Sequence, residues 1–168
     1  MTYEITTKSH ARAGAIAIAT IVLAVLTAGR ADATTAFGCT PSKVKVVSQT
    51  PNTNRVTSST VFVDVQQTAT QIVQGGKSPG CVIVDFSAMV DTDPNVALNL
   101  SASLDGASGV PASTQLIYNS TVFEARSVSF VFNGVAPGTH TVKLRFHSSQ
   151  SGQFVRINSS NIIIHYVP

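Results

Sequence analysis

Tryptophan is absent from this 168-residue chain, cysteine occurs only twice, and charged residues make up just 11% of it. Each scarcity closes off something. With no Trp, the Cys and Trp signature of immunoglobulin domains proper cannot be present. Aromatic residues total 7%, and beyond the N-terminal region the tyrosines are Tyr118 and Tyr166. That argues against a stacking platform for sugar rings and leaves only hydrogen-bonding sugar sites open. No CxxC pair exists, so the zinc-ligand spacings are missing. No basic run exists either, which argues against nucleic acid or a charged membrane surface as the partner.

What is present begins with an export signal over residues 1–33. Lys8, His10 and Arg12 form a polar, positive leader, Ala13 to Leu26 is apolar, and Arg30-Ala31-Asp32-Ala33 supplies a small-x-small cleavage pattern. The apolar stretch falls short of the roughly 20 residues that a membrane span needs, and nothing later is long enough to span. Phe37-Gly38 before Cys39 is not a lipoprotein junction. The expectation is a secreted chain, periplasmic or extracellular, cleaved near Ala33. Its mature part, 34–168, forms one domain of about 135 residues, large enough for a real core. Eight basic and six acidic residues remain in that part, a net charge of about +2.

In an oxidising compartment Cys39 and Cys81 are expected to pair. The bridge would close about 42 residues and contribute about 4 kcal/mol by the chain-entropy argument.

The mature region reads as short strands separated by turn chemistry. Lys43 to Ser48, Thr60 to Val65 and, more weakly, Gln66 to Gln74 are strand-like, and "QGGKSPG" at 74–80 is a loop. Cys81 to Val90, with Val82, Ile83, Val84 and Phe86, suggests a strand buried on both faces. "DTDPN" at 91–95 is a turn. Val96 to Leu104 alternates cleanly, with Val96, Leu98, Leu100, Ala102 and Leu104 on one face. Strands follow at 116–118 and 122–132, then "FNGVAPGTHTVKLRF" at 132–146 as a hairpin, and finally 153–158 and 161–167. No helical periodicity follows the signal. Eight or nine such strands imply an all-β antiparallel sandwich, jelly-roll or immunoglobulin-like.

"GCVIVDFSA", "LSASLDG" and the "PGTHTV" hairpin resemble a group of small exported bacterial β-sandwich proteins without an assigned function. The resemblance covers most of Cys81 to Val167 and implies fold and location only, since its motifs are turns and strands.

Catalytic chemistry has little to stand on. His140 follows Pro137-Gly138 and reads as the punctuation of a hairpin, bonding the loop backbone, with no partner carboxylate at a recognisable spacing. His147 and His165 oppose their apolar neighbours and read as exposed. There is no GxSxG elbow. "GGKSPG" fails the phosphate-loop pattern because position 71 is Gln71. Asp85, Asp91, Asp93 and Asp105 invite a calcium reading, most of all Asp91 and Asp93, but the spacing is not that of an EF-hand and turn-forming aspartates account for them. No catalytic, cofactor or metal residue is therefore assigned. The function expected is a non-enzymatic binding or interaction module for a protein or glycan ligand. The alternative is an assembly subunit resembling pilins, on the loose fit of Cys39, Cys81, Gly152 and Tyr166. A hydrolase comes third, with no motif behind it.

Overall fold

Strict alternation of apolar and polar residues builds two sheets whose apolar sides face each other. The computed structural model describes residues 41, 43–48 and 54–167, all in the second of the chain's two units, Gly38–Pro168. Eleven strands run in order: β1 (Lys43–Ser48), β2 (Arg55–Thr57), β3 (Val63–Asp64), β4 (Thr70–Gln74), β5 (Gly80–Thr92), β6 (Ala97–Leu104), β7 (Ala107–Ser108), β8 (Thr114–Tyr118), β9 (Glu124–Val135), β10 (Gly138–Ser148) and β11 (Val155–Tyr166). The described residues contain no helix, so none is long and apolar enough to cross a membrane.

The first sheet has the order β1, β11, β5, β9, with β2 also on the β1 side of β11. The second has the order β3, β10, β6, β7, with β4 beside β3 along β10 and β8 beside β7 along β6. Three of the edge positions are thus split into two short pieces, so eleven strands fill four positions in each sheet. None of the long strands β5, β6, β9 and β10 pairs with the next long strand in sequence, because each connection crosses to the other sheet. That is the topology of a jelly roll. An immunoglobulin-like sandwich would pair consecutive strands within one sheet.

The core is made from matching faces. Val82, Val84, Phe86 and Val90 of β5, Phe130 of β9, and Ile162 and Ile164 of β11 meet Leu98 and Leu100 of β6 and Val142, Leu144 and Phe146 of β10, all essentially sealed from solvent. In the first sheet two bulges keep the faces in phase. In β11 the register shifts between Asn158 and Ser160, so Val155 and Ile157 on one side and Ile162 and Ile164 on the other all point inward despite opposite parity. In β9 the extra residue lies between Asn133 and Val135, at Gly134, whose φ of 65° a side chain would resist.

Several expectations change. The sandwich is confirmed, with the jelly-roll alternative selected. Cys81 to Val90 is not buried on both faces: its outer positions Ile83 and Asp85 are half-buried, and Ser87 and Met89 are exposed. Within Thr60 to Val65 only Val63 and Asp64 are strand, while Arg55 to Thr57 forms a strand that no alternation announced. The turn at Ala136 and Pro137 is not a hairpin, because β9 and β10 lie in different sheets. The C-terminal strand is interior to its own sheet, hydrogen-bonded to β1 and β2 on one side and β5 on the other. Cys81 is buried, and no cysteine among the described residues is a free thiol. Cys39 and the signal region lie outside the described residues.

Candidate ligand groove

The alternation that sends Val142, Leu144 and Phe146 inward sends Thr141, Lys143, Arg145 and His147 to the outer face of the second sheet. Register then chooses their neighbours. Lys143 lies opposite Ser103, Arg145 opposite Ser101 on one side and Asp64 on the other. Lys143 Nζ donates to Asp64 Oδ2 at 2.8 Å, and Arg145 Nε sits 3.5 Å from Asp64 Oδ1. Arg145 also donates to the Phe62 carbonyl at 3.0 Å and lies over the Phe62 ring, which His147 meets edge-on. Both cations are therefore tied to β3, and Phe62 turns outward to serve them.

At one end of this face the chain reverses through Asp105-Gly106, both with positive φ, the dipeptide that tight two-residue turns favour. Asp105 Oδ1 accepts the Thr141 N–H at 2.7 Å, and Oδ2 pairs with His140 Nδ1 at 2.6 Å. The backbone donor above all, and then His140, holds the Asp105 carboxyl below the usual carboxylate range. Asp64, Ser103, Asp105, Gly106, Thr141, Lys143 and Arg145 together line a shallow groove of about 460 Å³. Two carboxylates, two cations and two hydroxyls thus face one space, from three strands and the Asp105-Gly106 turn. That set can hydrogen-bond a polar ligand.

His140 bonds the loop backbone, as expected, and it also meets a carboxylate that no sequence spacing announces. Its Nε2 lies 2.8 Å from the Ala136 carbonyl while Nδ1 meets Asp105, so it joins a turn of the second sheet to the crossover from the first. His147 and His165 are half-buried rather than exposed, each with a bond: His147 Nδ1 to the Ser148 carbonyl and His165 Nε2 to Asp85.

The outer face of the first sheet brings Ser129, Asp85 and His165 together on β9, β5 and β11, a Ser, His, Asp set in the wrong order. Ser129 Oγ donates to Asp85 Oδ1 at 2.6 Å, and His165 Nε2 meets Oδ2 at 3.0 Å. With the acid in the middle, the imidazole bonds the far oxygen and is not placed to take the hydroxyl proton.

The four aspartates considered for calcium end up in three places. Asp85 and Asp105 are engaged as above, while Asp91 and Asp93 share Arg156, at 3.5 and 2.8 Å. Asp93 also accepts the Phe154 N–H, the main reason its carboxyl titrates low, whereas burial pushes Asp91 up against the pull of Arg156. Among the described residues no three His, Cys, Asp or Glu side chains converge on a metal-sized site. "GGKSPG" joins β4 to β5, with no helix to receive a phosphate.

No protein-family model matches the chain, and no curated protein does. Among solved structures it is similar to the VP2 protein of infectious bursal disease virus. The VP2 subviral particle superposes with a TM-score of 0.51 at 12% identity, over 74% of this chain and 32% of that one. The Gt strain gives 0.50 at 11%, over 76% and 34%. The chain thus spans about a third of the length of these capsid proteins, and at such identity the likeness is one of fold. The sugar-binding C-terminal domain of EclA superposes at only 0.38, with 14% identity over 78% of this chain and 86% of that one.

Proposed function

We propose that the chain is an exported, non-enzymatic jelly-roll domain that binds a polar ligand, a glycan in the first instance, in the groove beside Lys143. The observation that carries this is the groove itself: Lys143 is held by Asp64, Asp105 is held by the Thr141 N–H, and two hydroxyls line the same space. Sugar hydroxyls both donate and accept, and such a set satisfies them without an aromatic platform. Binding of the mature protein to a panel of neutral and acidic oligosaccharides tests it. The expected result is a ligand whose affinity falls at least tenfold in Lys143→Ala. An empty panel, or binding indifferent to that change, overturns it.

Export, cleavage near Ala33 and a bridge from Cys39 to Cys81 belong to the same reading. They are supported by the apolar leader and by the burial of Cys81 at the start of β5. Intact mass of secreted protein, with and without thiol alkylation, checks all three. A retained leader or two alkylated thiols count against them.

One observation favours the assembly-subunit reading. Val44 and Val46, on edge strand β1, are more than half exposed and lie in register with His165 and Ile163, on the outer face of the first sheet. An apolar edge of this kind invites a second chain. If the native protein is oligomeric by light scattering and Val46→Lys makes it monomeric, assembly is its function.

A further inference from the structure

Both ring nitrogens of His140 face atoms that can only accept. The Ala136 carbonyl lies 2.8 Å from Nε2 and the Asp105 carboxylate 2.6 Å from Nδ1. Asp105 is no donor, because its other oxygen already accepts the Thr141 N–H and the group is held ionised. A neutral imidazole has one N–H and one lone pair. In either tautomer that lone pair would point at an oxygen. Only the cation satisfies both contacts.

We infer that His140 is an imidazolium latch, which clamps the Asp105 wall of the groove to the crossover between the sheets and releases it when the ring loses its proton. The ring is well placed for this, being only 15% exposed while Asp105 is about half exposed. Asp105 is the ionisable group that meets it. The strands flanking it, β4 (TQIVQ) and β6 (ALNLSASL), carry no titratable side chain. Lys143 and Arg145, further along β10, are engaged with Asp64.

The hydrogen bond to Asp105 raises the His140 pKa above its usual value, and burial opposes this less strongly. A raised histidine contributes stability below about pH 6.5 and loses it as pH climbs through the folded pKa. The depressed Asp105 contributes above about pH 4 and loses its share as pH falls. The latch is therefore fully closed between those limits. Because Asp105, Gly106 and Thr141 line the groove, ligand affinity should follow the latch; that consequence rests on the groove being the binding site.

Nitrogen-15 NMR of the histidine rings and backbone amides, from pH 5 to 9, tests the latch without any ligand. Both His140 ring nitrogens should carry protons at pH 6, and the ring should titrate above 6.5. The amides of Gly106 and Thr141 should shift with the same midpoint, and that titration should vanish in His140→Gln. A bare ring nitrogen at pH 6, or Gly106 and Thr141 amides that stay silent while His140 titrates, overturns the inference. Absence of any bound oligosaccharide counts against the groove as a ligand site and leaves the latch standing.

Discussion

The two sheets are alike inside and unlike outside. Their inner faces share one apolar chemistry, with Phe86 and Phe130 in one and Leu100 and Leu144 in the other all sealed from water. Their outer faces diverge. The middle of the first carries Ser87, Ser127, Ser129, Val46 and Ile163 around the Asp85 and His165 pair. The second carries Lys143, Arg145, His147 and Asp64, bonded to each other and to the loops. A jelly roll needs only the inner pattern, and exposed ion pairs add about 0–1 kcal/mol each. The charged face is therefore cheap to remove as far as folding goes, which makes it the place to test the proposed recognition.

The sharpest way to break the likeness of the interiors is to remove a central strand. Deleting Ile162 to Pro168 takes out half of β11, its pairing with both β1 and β5, and the two Val167 backbone bonds that tie it to Gln74 and Gly75. The expected outcome is loss of the cooperative unfolding transition in circular dichroism. A deleted protein that still unfolds cooperatively would show that the second sheet carries the fold by itself.

Point changes test the same likeness more finely. Phe130→Ala in the first sheet should cost about 3–5 kcal/mol and Leu144→Ala in the second about 2–5 kcal/mol, because each empties a fully buried site. Urea titrations measure both. A cost below about 1 kcal/mol at either position would mean that the interiors are not equivalent.

This inner pattern was legible in the sequence because alternation is a local signal. Val96 to Leu104 and Val142 to Phe146 each show it over several residues, and both are strands with the expected face inward. The C-terminal strand reads as two pieces in the sequence for a physical reason: the bulge between Asn158 and Ser160 reverses parity, so the alternation breaks although the strand does not. Arg55 to Thr57 is too short to alternate; it pairs with β11, to whose Ser160 hydroxyl the buried Arg55 also donates. Pro137-Gly138 announces a turn but carries no information about which sheet comes next, hence the mistaken hairpin. The site was less legible still. Asp64 and Lys143 are 79 residues apart and His140 and Asp105 35, and they meet through strand order, which composition does not encode. The one available signal was the run Lys143, Arg145, His147 at a single parity of β10.

Arg156 sharpens the comparison of the outer faces, because near one end of the first sheet ions do serve the fold. Asp91 is almost sealed from solvent opposite Arg156 in the register. Arg156→Ala should cost about 1–3 kcal/mol by leaving that carboxyl without its charged partner. The sign with pH follows from burial. A carboxyl whose folded pKa is raised binds its proton more tightly when folded, so stability falls as pH rises through the interval between the unfolded and folded values. Loss of Arg156, which pulls the other way, should widen that interval and steepen the fall. Urea midpoints of the variant that do not change between pH 4 and 7 would show that Asp91 is not stressed by its burial.

The smallest expected effect on stability decides the most about function. Lys143 reaches from β10 to Asp64, with both side chains about half exposed, so its ion pair is well solvated and Lys143→Ala should shift stability by no more than about 0.5 kcal/mol. Its neighbour Arg145 keeps the same carboxylate company, and Asp105 stays fixed by the Thr141 N–H, so the shape of the groove survives the change. What the variant removes is one of two cations from a space otherwise set by two carboxylates and two hydroxyls. A ligand that uses the groove should therefore bind at least tenfold more weakly to a domain whose urea midpoint is unmoved. If Lys143→Ala instead costs several kcal/mol, the outer face of the second sheet is holding the fold as the inner faces do, and the difference between the two sides of the sandwich is not a division between structure and recognition.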